Sequence, residues 1–210
     1  PGIADMDLVV FGPMARSAED LELSLSILAG PDKAESTGWR LELPSPRRDS
    51  LRDYKVAAWL DDATFPTDHA TLVVLNRAVD ALRGAGVVVD TEARPVNISH
   101  SQQIYMKLLA AAYAPTVTPQ DFSQWIRDDS LVSRLEDGYG KRFIVDATQR
   151  HRSWLLTDHA RREIKTRWAN FFKRFDVLLC PVTQTAAFPH NQVGETHERT
   201  IIINGEAHPY

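Results

Sequence analysis

The sequence predicts an α/β protein, a mixed β-sheet flanked by helices, with a helical insert around residues 99–174. Three observations carry that prediction. Residues 55–90 read as strand, helix, strand; residues 99–174 have a mostly helical pattern; and residues 175–181 return to the short apolar run of a buried strand. Composition agrees: 43% hydrophobic and 25% charged residues in a chain of 210 are near the averages for globular domains. A chain of this size hides roughly 70% of its unfolded surface on folding, enough for a sizeable core.

The first helix opens at Ser17. Ser17-Ala18-Glu19-Asp20 has the pattern of a capping box, and Leu21, Leu25 and Leu28 follow at helical spacing. Gly30-Pro31 ends it, glycine by accepting positive φ and proline by being unable to continue a helix. Residues 36–54, with Pro44 and Pro46, show no period and read as a surface loop. Lys55–Leu60 is the next apolar run, and Pro66-Thr67-Asp68 opens a helix with Leu72, Leu75, Val79 and Leu82 on one face. Gly84 and Gly86 close that helix before the strand Val87–Asp90, giving a βαβ unit with parallel strands. Helices are then expected from Ser101 to Tyr113, from Pro119 onward, and as one long rod from Phe143 to Phe175, interrupted earlier by Gly138 and Gly140. After the strand at 175–181 comes a loop to Pro189. Thr200–Ile203 reads as a last strand and Asn204-Gly205 as a turn, with its partner strand expected beyond Tyr210. The domain organisation is thus one partial domain over 1–210: a sheet-and-helix portion at 1–98, helices at 99–174, and a returning strand, loop and truncated terminal strand at 175–210.

Charge and motif content narrow the function. The net charge of −4 provides no global basic field, so neither nucleic acid nor a membrane is expected as partner. A locally basic stretch from Arg150 to Arg174 carries Trp154, Ile164, Trp168 and Phe171 at near-helical spacing, the mark of a core stripe with its cations facing water. No secretory leader is seen, and the apolar runs are far shorter than the ~20 residues of a membrane span. Together with one cysteine, this predicts a cytoplasmic protein. Both ends look cut, which predicts an internal piece of a longer chain. The seven histidines fall in no metal-binding spacing, and no metal or cofactor is expected. Cys180, ending an apolar run, reads as a small buried hydrophobe. Asn97-Ile98-Ser99 matches a glycosylation sequon without a secretory context.

The segment Gly12-Pro13-Met14-Ala15-Arg16-Ser17-Ala18-Glu19-Asp20-Leu21, with Leu28-Ala29-Gly30-Pro31-Asp32 at its helix end, resembles the amidase signature family. Lys55–Leu60, Asp80–Val89 and Phe175–Thr183 are similar, in order, to later elements of that family, so the likeness spans nearly the whole chain. The resemblance implies part of the amidase signature fold and hydrolysis of carboxylic amides to acid and amine through a serine acyl-enzyme. Its nucleophilic serine, cis-serine and lysine lie in segments preceding the Gly-Pro-Met-Ala-Arg motif. This chain has no Gly-Gly-Ser, so no catalytic residue is assigned in it.

The expected partner is a small-molecule amide, and exposed sheet edges favour a homodimer. Tyr113, Trp125 and Tyr139 in the helical region and Thr183 beyond a buried strand are the substrate-pocket candidates. Arg16 and Asp20 are expected to brace the first helix. Two alternatives stay open. One is an A-type amidotransferase component that works in a complex, for which Arg134 is a loose match to a glutamine-binding arginine. The other is a non-catalytic binding or scaffold module.

Overall fold

Val56, Ala57 and Ala58 are small, apolar and buried, which suits a strand covered on both faces. In a computed structural model describing residues 7–128, 138–194 and 199–209, this segment is β1 (Lys55–Ala58). It lies between β2 (Val88–Asp90) and β3 (Val177–Leu179), in the order β2-β1-β3. Both pairings are parallel, Val56 meeting Val89 on one side and Val177 on the other. Successive residues of a strand face opposite ways, and β1 uses both faces. Ala57 packs with Phe171 and Phe175, while Ala58 packs with Leu60 and Val79.

The chain forms two compact units, residues 1–47 and 48–210. In the first, α1 (Ala18–Leu28) starts as expected: the Asp20 amide donates to the Ser17 hydroxyl. Gly30 takes the positive φ foreseen for it, 147°. No residue of α1 is buried, and Leu21, Leu25 and Leu28 are 40, 46 and 65% exposed.

In the second unit, α2 (His69–Gly84) is capped by Asp68, whose carboxylate accepts from the Ala70 and Thr71 amides. Its Leu72–Leu75–Val79 face meets the sheet core. Helix α3 (Ile98–Tyr113) begins three residues earlier than the sequence suggested, because the Asn97 side chain accepts from the His100 amide and caps it. The sequon asparagine is thus a helix cap. Helix α4 (Pro119–Arg127) follows, capped by Thr118. Helix α3 packs against both α5 (Tyr139–Ala147) and α6 (His151–Phe171).

The single rod expected from Phe143 to Phe175 is in fact α5 and α6. Thr148 Oγ1 donates to the Ile144 carbonyl and Gln149 Nε2 to the carbonyls of Asp146 and Lys107. Side-chain bonding of this kind competes with the helical ladder, and Arg150 turns extended before α6 begins. The sheet flanked by helices is the expected α/β arrangement, with the parallel and antiparallel pairs in separate sheets. Strand β4 (Thr200–Ile203) pairs antiparallel with β5 (Glu206–Pro209). The partner strand therefore lies within the chain. Asn204 and Gly205 both have positive φ, 55° and 90°, the requirement of a tight two-residue hairpin turn.

Candidate functional site

Parallel strands bring their carboxyl ends to one edge of a sheet, where the connecting loops part and leave a crevice. Here β1 and β3 end together, and the Trp59 amide still donates to the Leu179 carbonyl at 2.8 Å. Past that bond the chain diverges into the 59–68 and 180–188 loops, which border an open cavity of about 810 Å³. Trp59, Leu60 and Leu178 come from the strand ends, and Phe65, Ile98, Trp168 and Ile201 from the elements around them. The 180–188 loop supplies Cys180, Thr183, Gln184, Thr185 and Phe188, and the opposite loop supplies Asp61 and Asp62.

The two loops are tied to each other through the start of α2. Thr67 is 2% exposed; its hydroxyl donates to the Leu60 carbonyl and its amide to Asp61 Oδ1, both at 2.8 Å. The Asp68 amide donates to the Gln184 carbonyl at 2.7 Å, and Gln184 Nε2 returns a bond to the Pro66 carbonyl. The β4–β5 hairpin is fixed to the same place: Asn204 Oδ1 accepts from the His69 amide and Nδ2 donates to the Thr67 carbonyl. The two loops, the start of α2 and the hairpin thus meet at Thr67, and of these the loops and the hairpin line the cavity. Trp59 is held further by Arg94, whose guanidinium lies 5.1 Å from its ring centroid.

Of the candidates read from the sequence, Thr183 lines the cavity, its hydroxyl donating to the Thr185 carbonyl. Trp125 and Tyr139 come together elsewhere, where α4 meets α5: Tyr139 stacks on Phe143 at 6.0 Å and Trp125 meets Phe143 edge-on at 6.1 Å. Tyr113 is half-exposed at the end of α3, its carbonyl accepting from Thr116. None of these three lines the cavity. Arg134 falls outside the described residues.

Cys180 is a correction. It is exposed and lines the cavity, because the strand ladder ends one residue before it. Trp59, Phe65, Trp168 and Phe188 were not singled out as site residues. The signal for Trp59 was present, since it follows a buried parallel strand directly; Trp168 is recruited from a distant helix, which no local pattern encodes. Trp168 also stacks on Phe172 at 5.9 Å, so the inward stripe of α6 serves both the core and the cavity.

Two carboxylates have shifted acidity, and neither lines the cavity. Asp158, buried on α6, accepts from Arg162 and Arg161, and these bonds hold its carboxyl below the usual range against the opposing cost of burial. Asp146 is pushed upward by partial burial, offset in part by Lys107 and Arg142. Among the described residues no cluster of His, Cys, Asp or Glu could hold a metal ion, and no helix is long and apolar enough to cross a membrane.

Among the described residues that line the cavity there is no lysine and no serine. What the arrangement can do is bind: an apolar recess with hydroxyl, carboxamide and carboxylate groups at its rim, on a rigid pair of strand ends. Comparison with known proteins matches residues 4–207 to the family described as Amidase. The chain is 25% identical to the A-type component of the Glutamyl-tRNA(Gln) amidotransferase of Sulfurisphaera tokodaii, over 90% of this chain and 43% of that protein. It is 29% identical to the protein of the same name from Deinococcus radiodurans, over 88% of this chain and 41% of that protein. To a protein named Amidase from Gibberella moniliformis it is 30% identical, over 87% of this chain and 34% of that protein. The chain therefore spans about two-fifths or less of the length of these curated relatives.

Proposed function

The chain belongs to the amidase signature family, whose members hydrolyse C–N bonds, and from that premise we propose that it forms the substrate-facing wall of an amide hydrolase. The observation that carries this reading is the cavity at the joint carboxyl ends of β1 and β3. In acyl transfer by a serine, the amide carbonyl is attacked, the amine leaves, and water releases the acid from the ester. The serines and lysine of that relay come from sequence outside this chain. The contribution of residues 59–68 and 180–188 is to hold the substrate so that its carbonyl meets the nucleophile, a positioning role that reduces the entropic part of the barrier. Thr183, Gln184 and Thr185 are the polar groups placed to orient an amide at the rim. Tyr113, Trp125 and Tyr139 belong, on this reading, to the surrounding helical layer.

A second reading is favoured by the names of the relatives. Two of the three proteins above are A-type components of an amidotransferase, so a wall serving a partner-dependent amidotransferase is the alternative. A chimera separates the two. This chain replaces the matching segment of the Gibberella moniliformis amidase, and release of ammonia from a panel of amides is measured with a fluorophosphonate label on the serine. A chimera that labels and turns over amides unaided, with a panel profile altered by Thr183→Ala, is the expected result. Labelling without turnover would favour the partner-dependent reading. Labelling of the 210-residue chain by itself would overturn the assignment of the nucleophile to other sequence.

A further inference from the structure

We infer that the cavity selects a neutral ligand bearing an aryl group and rejects the corresponding carboxylate. This rests on the amide reading above for the identity of that ligand, the aryl side of an aryl amide, and on the cavity alone for its shape and charge.

Shape comes first. Four of the lining residues are aromatic, Trp59, Phe65, Trp168 and Phe188, and they come from three stretches of chain facing one recess. Aromatic rings gain more from an offset-stacked or edge-on aromatic partner than from an aliphatic one of equal area. A volume of about 810 Å³ is within the usual range for small-molecule sites and far exceeds the needs of a one- or two-carbon acyl group.

Charge decides the rest. Among the described residues Asp61 and Asp62 are the ionisable lining groups besides the Cys180 thiol, and no described lysine, arginine or histidine lines the cavity. Each carboxylate accepts a backbone bond that fixes it at the rim: Asp61 from the Thr67 amide, Asp62 from the Thr64 amide. A neutral amide meets no charge repulsion there. Against this wall a carboxylate meets two like charges, finds no counter-ion among the described lining residues, and loses its hydration. Amide hydrolysis converts the first kind of ligand into the second. The wall that admits the substrate therefore favours departure of the acid once the acyl-enzyme has been opened by water.

Cys180 supplies the assay, since it is the one cysteine of the chain, exposed and in the cavity wall. The rate of its reaction with N-ethylmaleimide is followed by mass spectrometry while benzamide, benzoate, acetamide or benzyl alcohol is titrated. Saturable protection by benzamide, at least tenfold weaker protection by benzoate, and none by acetamide are expected. Equal protection by acetamide and benzamide would overturn the aryl selection. Benzoate matching benzamide would overturn the charge selection, and no protection by any aryl compound would overturn the inference outright. Benzyl alcohol matching benzamide would uphold the aryl cavity while counting against the amide reading, so the two fail separately. Ala187→Trp, in the exposed loop, is expected to fill the recess and abolish protection with the fold retained. Trp168→Phe, which keeps a ring in place, is expected to retain it.

Discussion

At Asp158 three side chains of one helix settle a buried charge locally. The carboxylate is 5% exposed, accepts from Arg161 through Oδ1 and from Arg162 through Oδ2 at 3.0 Å, and draws both guanidinium groups along α6. Because these bonds favour the ionised form, its folded pKa lies below the unfolded value of about 3.9. The linked stability is present above that unfolded value and is lost as pH falls through the folded one. Asp158→Asn should cost about 2 kcal/mol at pH 7, the order of a charge-assisted bond, in urea unfolding. Its cost should shrink as pH falls below the unfolded value toward the folded one, where the native carboxylate is protonated. Residues such as this were hard to read from sequence: i to i+3 and i+4 spacing suggests the arginine pair, but the burial of Asp158 is set by tertiary packing that spacing along one helix does not reveal. Ser17, Asp68 and Gly205 were legible, since a cap or a turn is fixed by its immediate neighbours. Asp176 was not. It accepts from the Lys55 amide and from Arg48, 121 and 128 positions away, and so closes the end of the strand pair opposite the cavity.

Among the elements, the β4–β5 hairpin is attached to α2 through one side chain. Asn204 combines a left-handed backbone with two bonds across more than 130 positions, to the His69 amide and the Thr67 carbonyl. Asn204→Ala should lose both bonds and strain the turn, costing about 2 kcal/mol. Asn204→Gly keeps the backbone and should cost about 1 kcal/mol, from the lost bonds alone. Hydrogen exchange at the Ile201 and Ile203 amides, compared between the two variants, checks the separation. Element order and type were largely legible here, because the periods of α2 and the strands are set by burial on one side or both. The failures were at boundaries. Asn97 extended α3, and Thr148 with Gln149 divided a long helical period into α5 and α6; in each case polar side chains took over backbone groups that hydrophobic spacing cannot see.

Across the whole molecule, every buried hydrophobic side chain among the described residues lies between Val56 and Ile203. A chain of residues 48–210 should therefore unfold cooperatively by itself, with a single transition in calorimetry and a coincident loss of near-ultraviolet dichroism. Two separated transitions would mean that its sheet and helical layers are independent. The candidate site was legible in outline, as the edge where buried parallel strands end, because that follows from topology. Its aromatic walls were not, since they are assembled from residues far apart in the chain. The same distance governs the order of assembly. The central strand β1 and its neighbour β2 are joined through one helix, but its other neighbour, β3, follows Asp176, which stands 121 positions after Lys55. At about 5–20 residues per second on a ribosome, β3 emerges roughly ten seconds after β1, time in which helices α3 to α6 can form from local contacts. The site is thus the last part of the fold to exist: until β3 docks, β1 has one open flank, and the cavity has only half its walls.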